Sequence, residues 1–142
     1  MDESGEWRAG ALRIAAELKN LSTIGRFVED NARALGAGQE CIADLIQAVD
    51  EAATNVIMHG YRNTPGPLEL EAGREGEQLV IILRDQASPF DPTTAPPPDL
   101  TTPLHERRMG GLGVHLMRAL TDSLAYRARP GGGNELVMAK HC

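Results

Sequence analysis

The chain has 142 residues, of which 42% are hydrophobic and 24% charged, and its formal net charge is −6. This length fits a single domain that can bury a core, and the composition is that of an ordinary globular protein. The negative charge argues against a nucleic-acid-binding protein, and no apolar stretch reaches the roughly 18–20 residues of a membrane-spanning helix.

The beginning of the chain and its cysteines predict a cytoplasmic protein. The first six residues are acidic and lack the basic start and apolar stretch of a signal peptide. Cys41 and Cys142 stand far apart and predict neither a metal site nor a disulfide framework, which suits a reducing compartment. We expect residues 1–9 to form a flexible tail and residues 10–142 to form one domain.

The first half of the chain predicts a strand and two helices. Residues 11–18 partly alternate between apolar and polar side chains, as in a strand. Apolar residues then recur at helical spacing over about 21–35 and again over about 39–61. Glycines close the first of these helices, and a turn rich in Asn, Pro and Gly follows the second.

A hairpin and a long irregular segment come next. Residues 68–72 alternate and residues 78–85 are almost continuously apolar, which predicts an edge strand paired with an inner strand. From residue 86 to 109 there is no periodic element, and five prolines lie in this segment. Such a long loop is either disordered or a functional lid, which we expect at about 92–109.

The last third predicts a helix and a second hairpin. A helix is expected from about 114 to 121, followed by strands over 123–128 and 135–140. The complete order predicts an α/β (α+β) fold. It is a two-layer sandwich with helices on one face of a mixed, largely antiparallel sheet.

The second predicted helix carries a polar stripe. Glu51, Asn55 and His59 stand at positions i, i+4 and i+8, so an α-helix presents them on one face. A stripe of this kind is either the solvated face of the helix or the wall of a site. Both interpretations remain open for the stripe alone.

Two further features are candidates for ligand binding. Gly110-Gly111-Leu112-Gly113 opens a predicted helix, where backbone N–H groups can approach a phosphate; the alternative is a tight turn. The segment completes neither the dinucleotide fingerprint nor a P-loop. Asp85 ends the most apolar strand, where its carboxylate can accept a hydrogen bond from an exocyclic amine such as that of adenine or can simply initiate a turn.

Taken in order, these stretches resemble the motifs of the GHKL ATP-binding superfamily, which includes gyrase and histidine kinases. Residues 51–61 are similar to its N-box, residues 85–92 to its first glycine box and residues 110–116 to its second. The ending His59-Gly60-Tyr61 and the run Pro89-Phe90-Asp91-Pro92 are most similar to anti-sigma-factor serine/threonine kinases. The resemblance extends over nearly the whole chain.

The resemblance implies roles for individual residues. Glu51 would be the general base, Asn55 would coordinate a Mg²⁺ ion that bridges the phosphates of ATP, and Asp85 would accept from the adenine amino group. Other residues expected to contact the nucleotide are Ala87, Phe90, Arg108, Gly110, Gly111, Leu112 and Gly113. Arg107 or Arg108 would reach the γ-phosphate from the lid, unless both are simply solvated.

One position departs from the pattern of the family. Ala87 stands where the first glycine box usually has a glycine. Its methyl group would weaken nucleotide binding if the backbone there needs a positive φ.

The function implied is that of an ATP-dependent protein serine/threonine kinase. It would phosphorylate an anti-sigma-factor antagonist and sequester a sigma factor, without contacting nucleic acid or membrane itself, and the resemblance also implies a homodimer formed through the sheet. The alternative is a non-catalytic, nucleotide-dependent binding module that only sequesters a partner. A histidine kinase would need a dimerising helical hairpin upstream, for which few residues precede the first strand.

Overall fold

A computed structural model of the chain describes residues 6–89, 91 and 111–142. The helices and strands, in chain order, are β1 (Glu6–Ala15), α1 (Leu21–Ala34), α2 (Gln39–Asn55), β2 (Pro67–Glu75), β3 (Gln78–Asp85), α3 (Gly111–Leu120), β4 (Ser123–Ala128) and β5 (Asn134–His141). A 3₁₀ turn at Leu18–Asn20 precedes α1, and a π-helical segment at Val56–Gly60, here called the π turn, continues α2.

The five strands form one sheet in the order β1-β2-β3-β5-β4. This confirms the predicted α+β fold, although every ladder is antiparallel rather than some being parallel. The prediction that β2 is an edge strand was wrong, because β1 pairs along its whole length and takes the edge itself. Alternation in β2 instead reflects a sheet that is covered on one face only.

The core lies between the sheet and the helices. Strands β2 and β3 point every second side chain into it, and the apolar faces of α1 and α2 meet them there. The largest fully buried side chains are Ile24, Val28, Ile42, Leu45, Ile57, Leu68, Leu70, Leu79, Ile81, Leu83, Met117 and Met138. In the described part of the chain, no helix has the length and hydrophobicity needed to cross a bilayer.

Strand β1 begins earlier in the chain than the sequence predicts. Strand β1 begins at Glu6, so the predicted flexible tail of residues 1–9 was too long. Residues 6–9 lack a clear apolar alternation, but they pair with the end of β2 across an irregularity between Arg8 and Gly10. Backbone pairing with β2 includes this part of the chain in the sheet.

The two cysteines are neighbours in space. The prediction of no disulfide was wrong, because Cys41 and Cys142 are joined by a disulfide with their Cα atoms 5.9 Å apart. Cys41 lies in the first turn of α2, and β5 runs back along the sheet to bring Cys142 to the same place. The large separation of the two cysteines in the sequence therefore did not predict their distance in the structure.

Candidate functional site

A small cavity lies where the C-terminal half of α2 faces the ends of β3 and β5. It is lined by Ala52, Asn55, Val56, Gly60, Leu83, Asp85, Met117, Tyr126, Asn134 and Leu136. The enclosed volume is about 30 Å³. The walls are mostly apolar with a few convergent polar groups, which is the composition of a site for a flat, partly polar ligand.

Asp85 is the buried acceptor of this cavity. It is the last residue of β3, and only 3% of it is exposed. Its Oδ1 accepts hydrogen bonds from the backbone N–H of Ala87 at 2.8 Å and from Nδ2 of Asn134 at 2.9 Å. Burial raises the pKa of Asp85 above its usual value, and this effect outweighs the hydrogen bonds to Oδ1 and the nearby charge of Arg129, which lower it.

Asn134 was missed by the sequence analysis. It is 7% exposed and stands directly opposite Asp85 in the ladder between β3 and β5. Its amide also donates to the carbonyl of Ser88 at 3.1 Å, and the hydroxyl of Tyr126 donates to its Oδ1 at 2.6 Å. Asn134 stands directly before the predicted strand 135–140, and only the register between β3 and β5 shows which side chain it meets.

Asn55 lies at the end of α2 and lines the same cavity as Asp85. It is 7% exposed, and its Nδ2 has no hydrogen-bond partner among the residues that the structure describes. An unpaired amide in a buried position costs free energy and is typical of a group that waits for a ligand or water.

Glu51 is one helical turn before Asn55 and half-buried. Its Oε1 accepts a hydrogen bond from Nε2 of Gln47 at 3.2 Å. Glu51 does not line the cavity itself. The pair therefore places a carboxylate near the edge of the cavity and an amide in its wall.

His59 does not continue the stripe in the way that an α-helix predicts. The π turn replaces the last α-helical turn, and its wider winding rotates His59 relative to Glu51 and Asn55. The side chain instead lines a wider cleft of about 570 Å³ beside Tyr61 and Ala87, and its buried Nδ1 has no hydrogen-bond partner in the described part of the chain.

The structure removes the concern about backbone strain at Ala87. Among the described residues other than glycine, only Arg62 and Asn63 have a positive φ. Ala87 is buried, and its methyl group lies against Gly60, where an added Cβ would come within 3.1 Å of it. The alanine is therefore accommodated because the facing residue of the π turn is a glycine.

The second glycine motif is described only in part. Gly111, Leu112 and Gly113 form the first turn of α3, so their N–H groups lack acceptors within the helix. Further along α3, Met117 is fully buried and lines the cavity. The remaining predicted contacts, and the predicted lid, lie outside the described residues: Phe90, Arg107, Arg108, Gly110 and the segment 92–109.

Metal binding by protein groups alone is not supported by the described residues. They contain no cluster of three or more His, Cys, Asp or Glu side chains that could hold a metal ion. Asn55 is a single oxygen donor. It fits Mg²⁺, which commonly keeps several waters and takes its other ligands from substrate phosphates.

Comparison with known families and proteins supports a nucleotide-binding fold. Residues 14–140 match the family described as the histidine kinase-like ATPase domain. An anti-sigma F factor from Thermoanaerobacter sp. (strain X514) is 34% identical over 131 residues, covering 92% of this chain and 91% of that protein. The serine-protein kinase RsbW of Bacillus cereus (strain Q1) is 26% identical over 80% of this chain and 73% of the kinase.

A solved structure has the same fold. The RsbU and RsbW domains of Rv1364c from Mycobacterium tuberculosis superpose with a TM-score of 0.63 at 18% sequence identity. The match covers 93% of this chain but only 32% of that longer protein. At this identity the likeness concerns the fold alone.

Proposed function

The chain belongs to the histidine kinase-like ATPase family, and from that premise we propose that it binds Mg-ATP and phosphorylates a serine or threonine of an anti-sigma-factor antagonist. We also propose that it sequesters a sigma factor when the antagonist is absent or already phosphorylated. The observation that carries the proposal is the cavity that brings Asn55 of α2 and Asp85 of β3 to one place. The names of the relatives, which include both anti-sigma factors and serine kinases, support it.

The nucleotide base is proposed to bind at Asp85. Its carboxylate is an acceptor fixed by two donors, and it suits the exocyclic amine of adenine. Met117, an unbranched and flexible residue in the wall of the cavity, can adjust its side chain to a bound base.

Asn55 and Glu51 are proposed to divide the chemistry between them. Asn55 would offer its side-chain oxygen to Mg²⁺, which neutralises phosphate charge when bound. Glu51 would take the proton of the attacking serine or threonine hydroxyl. As it does so, the hydroxyl oxygen bonds to the γ-phosphorus and the bond between the γ-phosphorus and ADP breaks. The two residues are one turn apart, about 6 Å along the axis, so base and metal ligand can act on the same phosphoryl group.

The test is transfer of labelled phosphate from Mg-ATP to the cognate antagonist. Glu51→Gln keeps a side chain that can still bond Gln47 but removes the base, so we expect transfer to fall by about 10²-fold or more with nucleotide affinity unchanged. Glu40→Gln, an exposed charge-matched change in the first turn of the same helix, is the control and should transfer normally. Normal transfer by Glu51→Gln would remove the general base from the proposal.

A second candidate is a binding module without catalysis. It is favoured by the relatives that are named anti-sigma F factor, since that name describes sequestration. In this case the wild-type protein would capture the sigma factor in the presence of nucleotide but would never label the antagonist. The same transfer assay, paired with a pull-down of the sigma factor, distinguishes the two functions.

We further propose a cytoplasmic homodimer formed through the sheet. The helices cover only one face of the sheet, and on the other face half-buried Val80 and Ile82 line a groove beside Gly73. Ile82→Lys should yield monomers by light scattering, while Ala43→Lys on the exposed side of α2 should not. In the cytoplasm, where sigma factors act, the Cys41–Cys142 pair is expected to be mostly reduced.

A further inference from the structure

The amide of Asn134 can be oriented without ambiguity. Its Nδ2 lies 2.9 Å from Oδ1 of Asp85 and 3.1 Å from the carbonyl oxygen of Ser88. Both are acceptors, so the nitrogen of the amide must face them and the oxygen must face Tyr126. The hydroxyl of Tyr126 then donates to that oxygen at 2.6 Å, which holds the amide in this orientation.

The backbone around Asp85 is fixed as firmly as its carboxylate. Nη1 of Arg129 donates to the carbonyl oxygen of Asp85 at 3.1 Å. Gly133 comes so close to the same carbonyl that an added Cβ would lie 2.1 Å from it. The turn between β4 and β5 therefore presses against the end of β3, and Asn134 projects from the end of that turn.

We propose that Asn134, oriented by Tyr126, is a positioning and specificity-determining residue that keeps Asp85 an obligate hydrogen-bond acceptor. The inference rests on the proposed nucleotide site and adds a residue to it. The two hydrogen bonds donated to Oδ1 favour the ionised form of the Asp85 carboxylate, and the ionised form presents only acceptors to a bound base. It then favours a 6-aminopurine, which offers a donor, over a 6-oxopurine, which offers an acceptor.

The substitution Asn134→Asp tests this directly. It is nearly isosteric but places a second carboxyl against Asp85, and two adjacent carboxyls share a proton because they cannot both ionise easily. The shared proton can be donated to O6 of a 6-oxopurine. We expect wild-type protein to bind ATP at least about 10²-fold more tightly than ITP, and Asn134→Asp to narrow this ratio by at least tenfold.

Two further variants separate positioning from folding. Tyr126→Phe removes only the hydroxyl that orients the amide, so the ratio of ATP to ITP affinity should narrow by a smaller factor in a protein that folds normally. Tyr61→Phe is the matched control. Its hydroxyl accepts from the N–H of Gln86 at 2.7 Å and donates to the carbonyl oxygen of Pro67 at 2.7 Å, so both of these partners are backbone groups and not the carboxylate of Asp85. Tyr61→Phe can alter the affinity for ATP and the affinity for ITP, but the ratio of the two affinities should stay unchanged.

A measurement that needs no nucleotide tests the role of Asn134 separately from the proposed kinase function. The carboxyl carbon of Asp85 can be titrated by NMR in the free protein, and its midpoint should rise in Asn134→Asp and in Tyr126→Phe but not in Tyr61→Phe. If ATP does not bind but the midpoints shift as expected, the proposed function fails and the role of Asn134 stands. Unchanged midpoints together with an unchanged affinity ratio would overturn the inference.

Discussion

At the scale of single residues, the candidate site depends on a glycine that touches it only through backbone. Gly133 has a φ of +100° and leaves no space for a side chain, since a Cβ there would lie 2.1 Å from the carbonyl oxygen of Asp85. Gly131 in the same turn has a φ of +86° but nothing within 4 Å of the corresponding position. Both glycines therefore adopt a left-handed backbone conformation, but only Gly133 lies too close to Asp85 to leave space for a side chain.

This pair gives a prediction with an internal control. Gly131→Ala should cost about 1 kcal/mol in the free energy of unfolding, because a left-handed alanine is strained. Gly133→Ala should cost at least about 2 kcal/mol more and should abolish nucleotide binding, because the displaced carbonyl moves Asp85 with it. Chemical denaturation and ATP titration of both variants measure the difference. Equal losses in the two variants would mean that the close approach is unimportant.

The residues of the site could be predicted from the sequence to the extent that each stands in a local pattern. Asn55 and Asp85 follow from a helical stripe and a strand end, and the structure brings them to one cavity. Asn134 could not be found in this way, because its role depends on the register between β3 and β5. Register is fixed by the packing of the whole sheet rather than by the residues next to Asn134.

At the scale of elements, the end of α2 also could not be predicted from the local sequence pattern. Apolar residues continue at helical spacing through Ile57, so the pattern predicts an α-helix to Tyr61, whereas the structure changes to the π turn at Val56. One extra residue per turn is too small a change in period to be visible in five residues. The change matters, because it sets Gly60 against Ala87 and carries His59 away from Asn55.

The contact between the π turn and the loop after β3 can be tested by a double-mutant cycle. Gly60→Ala would bring two methyl carbons to 3.1 Å, so we expect a loss of about 1–2 kcal/mol in stability and weaker nucleotide binding. Ala87→Gly in the same protein should restore most of the loss, since it removes the opposing methyl group. Denaturation of the two single variants and the double variant gives the coupling energy. Additive effects would show that the two residues do not press on each other.

At the scale of the whole molecule, several contacts fasten the end of β5 to the opposite end of the helical layer from the site. Arg74 donates from Nη1 to the carbonyl of Leu35 at 2.8 Å and from Nη2 to that of Cys142 at 3.2 Å. Lys140 pairs with Asp44 at 3.3 Å. The Cys41–Cys142 bond joins the same two places covalently. The two partners of each contact are at least 39 residues apart in the sequence. Their convergence therefore results from the topology of the fold and not from a local motif.

The disulfide should make global stability depend on redox state while leaving the site unchanged. It closes a loop with a sequence separation of 101 residues, for which the loss of unfolded-chain entropy predicts a stabilisation of about 4.7 kcal/mol. In a chain of this size that corresponds to a Tm about 15 °C higher in oxidised than in reduced protein. Cys142→Ser should melt like the reduced wild type and should not respond to dithiothreitol. ATP affinity should be equal in the oxidised and reduced forms, because Cys41 lies almost four helical turns from Asn55, roughly 20 Å along α2. A melting temperature that is independent of reductant, in protein shown by thiol titration to be oxidised, would contradict the prediction.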